Sequence, residues 1–141
     1  MANISLMLII NNGKILVCKR EKKDDDKFSE MYGLPGGHVR KNESYKDGAI
    51  RETKEETNLI INNPKFIKTY EFDNNQIHLF VKEVKDINNI KLNHEHTEYK
   101  LISPNSLKNP EIIPTTKDMY DDYKKKCLKE EIDRMKHLFL F

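Results

Sequence analysis

The chain has 141 residues, 37% hydrophobic and 34% charged, with 25 Lys and Arg against 23 Asp and Glu and a formal net charge of +2. These values describe one soluble domain, long enough to bury roughly two thirds of its unfolded surface without disulfide or metal staples. The longest apolar run, Leu6 to Ile10, falls far short of the roughly 20 residues of a membrane span, and no secretory pattern opens the chain, so a cytosolic protein is expected. Cys18 and Cys127 are too few and too far apart for a CxxC site or a disulfide framework, and reduced, packed thiols are expected. The balanced charge gives no support to nucleic-acid binding.

Ile4–Ile10 and Lys14–Lys19 are apolar runs flanking Asn11-Asn12-Gly13, whose Asn-Gly suits a type I′ turn, which predicts a β-hairpin. Glu21–Lys27 is a charged stretch without period and predicts a mobile loop. Gly33-Leu34-Pro35-Gly36-Gly37-His38-Val39 sets three glycines in an apolar stretch, where something must approach the backbone closely. Asn42 or Ser44 can cap a helix that runs through Glu56, and Asn58 suits its left-handed stop. Lys65–Phe72 and Ile77–Val84 predict two strands joined through Asp73-Asn74-Asn75, followed by a polar loop over Asp86–His96 and a short strand over Tyr99–Ile102. From Thr115 or Thr116 to about Leu138, apolar residues recur at steps of three to five, the mark of an amphipathic helix. Strands, helix, strands, helix is the order of an α/β sandwich with a mixed sheet.

Chemistry concentrates on the first helix. Glu52, Glu55 and Glu56 stand at i, i+3 and i+4, so all three carboxylates share a face. Like charges on adjacent turns repel, and a plain surface helix gains nothing from them. A hard divalent cation such as Mg²⁺, which takes carboxylate oxygens, water and phosphate, reverses that sign. Arg51 lies four residues before Glu55 and can hold the carboxylates in place. Gly36 and Gly37 leave backbone groups free to face metal and phosphate just before a helix N-terminus that favours anions.

Gly37, Glu43, Arg51-Glu52 and Glu55-Glu56 stand at the spacing Gly-x5-Glu-x7-Arg-Glu-x2-Glu-Glu, which resembles the Nudix box. Six fixed positions match by chance on the order of once in 10⁵ chains of this size. Thr53 stands where the box has an aliphatic residue, and Asn58 replaces its last glycine. The resemblance implies a Nudix-type α/β/α sandwich with a mixed central sheet over residues 1–141. It also implies Mg²⁺- or Mn²⁺-dependent hydrolysis of a nucleoside diphosphate linked to another group. Glu52, Glu55, Glu56 and the Gly36 carbonyl would then be metal ligands, Arg51 would orient the carboxylates, and Glu43 would brace them. The base would be one of the helix carboxylates, such as Glu52, or Glu95 or Glu98 from a later loop.

Gly37, His38 and Tyr32 complete the candidate site on the substrate side. His38 either touches phosphate or points to solvent, and Tyr32 either stacks on a base or packs in the core. His94 and His96, flanking Glu95, are either a metal pair or exposed loop residues, and without a third ligand they are read as surface residues. The apolar C-terminus, Leu138-Phe139-Leu140-Phe141, is expected to pack on the domain or on a second subunit, a hint of a homodimer. The function expected is a MutT-like hydrolase converting a nucleoside triphosphate and water to a nucleoside monophosphate and pyrophosphate. Its rivals are a nucleoside diphosphate sugar, a dinucleoside polyphosphate or an RNA cap as substrate, and a non-catalytic nucleotide-binding module.

Overall fold

The computed structural model describes residues 1–139. Seven strands form one sheet: β1 (Ala2–Asn11), β2 (Lys14–Arg20), β3 (Tyr32–Gly33), β4 (Gly36–His38), β5 (Lys65–Phe72), β6 (Asn75–Glu83) and β7 (His96–Ile102). Helices α1 (Tyr45–Thr57) and α2 (Thr115–Phe139) are the other long elements of the described residues, with a 3-10 turn at Pro104–Lys108. The central order is β3-β2-β1-β6-β5, with β4 added to β1 and β7 to β2. Among the described strands β1 and β6 pair in parallel and the other pairs are antiparallel, which makes the sheet mixed, as expected.

Alternation along the central strands divides the core. Leu8, Ile10, Ile15, Val17, Leu79 and Val81 face Met119 and Tyr123 of α2 on one side. Met7, Ile9, Leu16, Cys18 and Phe80 face Ala49 of α1, with Leu59 and Ile61, on the other. Helices on both faces give the α/β/α sandwich.

Both hairpins form where their turn residues predict. Asn12 and Gly13 hold φ of 50° and 76°, and Asp73 and Asn74 hold 54° and 63°, the positive values a type I′ turn demands. Strand limits follow pairing more than polarity. β1 begins two residues before the predicted Ile4, because Ala2 and Asn3 pair with Asn75 and Gln76 of β6. β7 begins at His96 rather than Tyr99, because His96 pairs with Arg20 across a bulge in β2. The predicted loop Asp86–His96 therefore ends at Glu95. β3 and β4 are too short and too rich in glycine to show a period, and the sequence gives no sign of either as a strand.

The segment Glu21–Lys27 is a loop tied down by an Arg20–Asp26 ion pair of 2.7 Å and by the Lys23 amide donating to Ser29 Oγ. On α2, Leu138 and Phe139 are exposed and do not pack on the domain, while Leu140 and Phe141 lie outside the described residues.

Candidate active site

The site forms where α1 crosses the start of β1. Residues Ile4–Leu6 of β1 pair with β4, whereas Ile10 and Asn11 pair with β2, so the strand changes neighbours along its length. The Leu34-Pro35-Gly36 segment fills the opening, with the Met7 amide donating to the Pro35 carbonyl at 2.9 Å. Gly36 has φ of +151°, and a Cβ there would lie 2.1 Å from the Ser5 carbonyl oxygen, so only glycine fits. At Gly37 a Cβ would lie 2.6 Å from the Glu52 carboxyl carbon. This glycine is the space that the carboxylate occupies.

Ser44 caps α1, its Oγ accepting from the Asp47 amide at 3.0 Å, and Asn58 ends the helix at φ 69°. The inward face carries Ala49, Thr53, Glu56 and Thr57, all buried. Thr57 uses its hydroxyl on the Thr53 carbonyl at 2.6 Å, while Thr53 Oγ1 is buried without a partner. The aliphatic position of the box thus holds a hydroxyl that pays a desolvation cost.

Glu52 and Glu56, one turn apart, meet Glu95 from the loop before β7, each offering an oxygen within 4.8 Å of the others. Glu56 is 2% exposed, and its Oε1 accepts from the Gly36 amide at 2.7 Å. Burial pushes its carboxyl up to about 9; the Gly36 hydrogen bond opposes this, and Glu95 and Glu52 add to it. His96 stands behind, its Nδ1 3.8 Å from Glu56 Oε2, buried and without a partner. Burial holds its pKa below the usual imidazole value. Below the carboxylates the Cys18 thiol is buried and pushed up to about 12, first by burial and then by Glu56, which leaves it inert packing.

Arg51 organises the outer side of the cluster. Its Nε and Nη2 donate to both oxygens of Glu43 at 2.7 and 2.9 Å, Nη1 to Glu52 and Glu55 at 3.0 and 3.2 Å, and Nη2 again to the His38 carbonyl at 3.0 Å. All five guanidinium N–H groups therefore have acceptors, a set that no other side chain can replace. The fork on Glu43 holds that carboxyl well down, at about 2.

A cleft of about 300 Å³ opens over the carboxylates, lined by Gly36, Gly37, His38, Glu52, Glu56, Glu95 and His96 and by the ion pairs Arg20–Asp26 and Lys23–Glu21. It shares Ile4, Leu6, Arg20 and Leu34 with a neighbouring cavity of about 240 Å³ whose walls include Phe28, Phe72, Ile77 and Ile113.

Most residues singled out in the sequence thus converge, and three do not. Glu55 is directed away from the cleft, toward Arg51 and, at 3.7 Å, Arg40. Glu98 accepts from the Tyr32 hydroxyl at 2.7 Å and pairs with Lys19 at 3.3 Å, outside the cleft lining. The Tyr32 ring is buried in the core on the α2 side, so it packs and does not present a face to a base. His96 corrects the reading of an exposed loop histidine: it is 8% exposed and belongs to a strand. Its pairing with Arg20, which also lines the cleft, is a long-range fact that no local sequence signal carries.

Three carboxylates crowded around a backbone cradle suit a hard divalent cation, since the buried Glu56 ionises readily only beside positive charge. The comparisons with known proteins agree with this geometry. The family model described as the NUDIX domain matches residues 1–123. The fold is similar to that of a MutT protein from Methanosarcina mazei Go1 (TM-score 0.71, 24% identity, covering 89% of this chain and 94% of that one). It is also similar to the Escherichia coli ORF135 protein (0.69, 23%, 89% and 89%) and to a Caenorhabditis elegans Ap4A hydrolase (0.72, 17%, 92% and 99%). No curated protein matches the chain. The box, the fold around it and the family match over most of the chain agree, and the chain belongs to the Nudix family as a pyrophosphohydrolase.

Proposed function

We propose that the chain hydrolyses a nucleoside triphosphate to a nucleoside monophosphate and pyrophosphate, with Mg²⁺ or Mn²⁺, in the cytosol. The observation that carries this reading is the junction of an acidic cleft with an apolar cavity of about 240 Å³, side by side and sharing four residues. Phosphates and nucleoside then have separate, adjoining places in one small domain. Glu52, Glu56 and the Gly36 carbonyl would hold the cation, with Glu55 acting from outside the cleft through Arg51. When bound, the cation neutralises charge developing on the phosphates and lowers the pKa of a water molecule.

Glu95, beside Glu52 and Glu56 but not on the helix, is the base in this reading: Glu98 is committed to Tyr32 and Lys19, Glu56 to the Gly36 amide and Glu52 to Arg51. It takes the proton of the attacking water as the oxygen bonds to phosphorus and the phosphoanhydride oxygen leaves with pyrophosphate. The His38 backbone, held by Arg51, fixes the rim. The test is phosphate and pyrophosphate release with Mg²⁺ across nucleoside triphosphates, nucleotide sugars, dinucleoside polyphosphates and capped RNA. Turnover greatest on a triphosphate, with pyrophosphate released, supports the proposal. Preference for another class would move the substrate, and nucleotide binding without turnover on any of them would make the chain a binding module.

A further inference from the structure

Helix α2 is longer than the domain needs. Its buried residues are Thr116 and Met119, and with Tyr120 and Tyr123 they cover the sheet near the N-terminal end of the helix. An ion pair from Lys65 to Glu130 and a hydrogen bond from Lys126 Nζ to the Phe66 carbonyl attach the middle of the helix to β5. From Leu128 to Phe139 every residue is exposed. Large apolar side chains on it stay in water, so this extension gains from a partner.

The side chains on it have a pattern. Leu128, Ile132, Met135 and Phe139 are 59%, 42%, 50% and 82% exposed and succeed one another at steps of four, three and four. That is the a/d spacing of a coiled coil, with Leu128 and Met135 at d and Ile132 and Phe139 at a. At 3.6 residues per turn this stripe lies about 150° around the helix from Thr116, Met119 and Tyr123. It faces away from the sheet, so a second helix can reach it without meeting its own domain.

We propose that this stripe pairs with the same stripe of a second copy, giving a parallel two-fold dimer through the C-terminal half of α2. Charge favours this occupant over the others. Lys129, Arg134 and Lys136 are balanced by Glu130, Glu131 and Asp133, so the segment lacks the basic excess that an anionic membrane surface selects. In the parallel register Glu131, at g, faces the partner's Lys136, at e, and the contact occurs twice by symmetry. Lys124 faces the partner's Lys129 at the end nearest the domains. An antiparallel pair would set Lys129 against the partner's Lys136, with no opposite-charge contact in return. Ile at a with Leu at d is also the combination that favours two strands.

The test is the mass of the full chain in solution by light scattering and sedimentation over a range of concentrations. A dimer of twice the 16.7 kDa chain mass is expected, lost in Ile132→Asp, whose exposed position leaves the fold intact by circular dichroism. Glu131→Lys and Lys136→Glu should each weaken association by about tenfold, and the double swap should restore it. A monomer at every concentration, a dimer that survives Ile132→Asp, or a dimer indifferent to the charge swaps would each overturn the proposal. So would a monomer that binds vesicles of anionic lipid through this helix.

Discussion

Thr53 is where one atom decides a local balance. Its hydroxyl is buried on the core face of α1 without a partner, so Thr53→Val exchanges an unmet polar group for a methyl of the same shape. The variant should be more stable by about 1 kcal/mol, a rise in melting temperature of about 2–4 °C. Glu56 sets a pH dependence. Folding raises its carboxyl from 4.5 to about 9, so the folded chain binds that proton more tightly than the unfolded chain does. Without metal, Glu56 therefore makes stability fall as pH rises from about 4.5 to about 9, and Glu56→Gln should flatten that slope in a series of thermal melts. Cation binding must expel the same proton. Calorimetric titration of Mg²⁺ at pH 7.5 in buffers of different ionisation enthalpy should detect its release in the native chain and none in Glu56→Gln. His96, behind Glu56, should matter through that carboxylate: His96→Ala is expected to weaken apparent Mg²⁺ affinity by about tenfold.

Among the elements, α1 holds the site and Arg51 holds α1 to the loop before it. Arg51→Lys keeps the charge and loses the fork on Glu43, leaving the Glu52, Glu55 and His38 acceptors to share one ammonium. It should cost about 2 kcal/mol in thermal denaturation and lower kcat more than it raises KM. The helix was legible in the sequence because its signals are local: Ser44 as cap, Asn58 as stop and carboxylates at helical spacing. The hairpins were legible for the same reason. β3 and β4 were not, since strands this short are made by their partners, Cys18 and Lys19 for one and Ile4 to Leu6 for the other. The division among the carboxylates was also hidden. Helical spacing places Glu52, Glu55 and Glu56 on one face, and only the position of Arg51 and β4 shows that Glu55 leaves the cluster while Glu95 joins it.

For the whole molecule, the sheet accounts for most of what the sequence left open. Pairing of β7 with β2 carries Glu95 and His96 to the helix carboxylates, and pairing of β1 with β4 brings the glycine cradle beneath them. The polar stretch before Tyr99 gave no reason to separate Glu95 from Glu98; the β2–β7 register does, placing Glu98 beside Lys19 and Tyr32. The mixed sandwich itself followed from the order of elements, and the family match over residues 1–123 accords with it. The most direct test of the account is Mg²⁺-dependent pyrophosphate release by Glu95→Gln, measured beside Glu98→Gln and Glu56→Gln with the melting temperature of each. Turnover should fall by two or more orders of magnitude in Glu95→Gln and Glu56→Gln, about the contribution of a positioned base or ligand, and by only a few fold in Glu98→Gln. Equal losses at Glu95 and Glu98, or full turnover in Glu95→Gln, would contradict it.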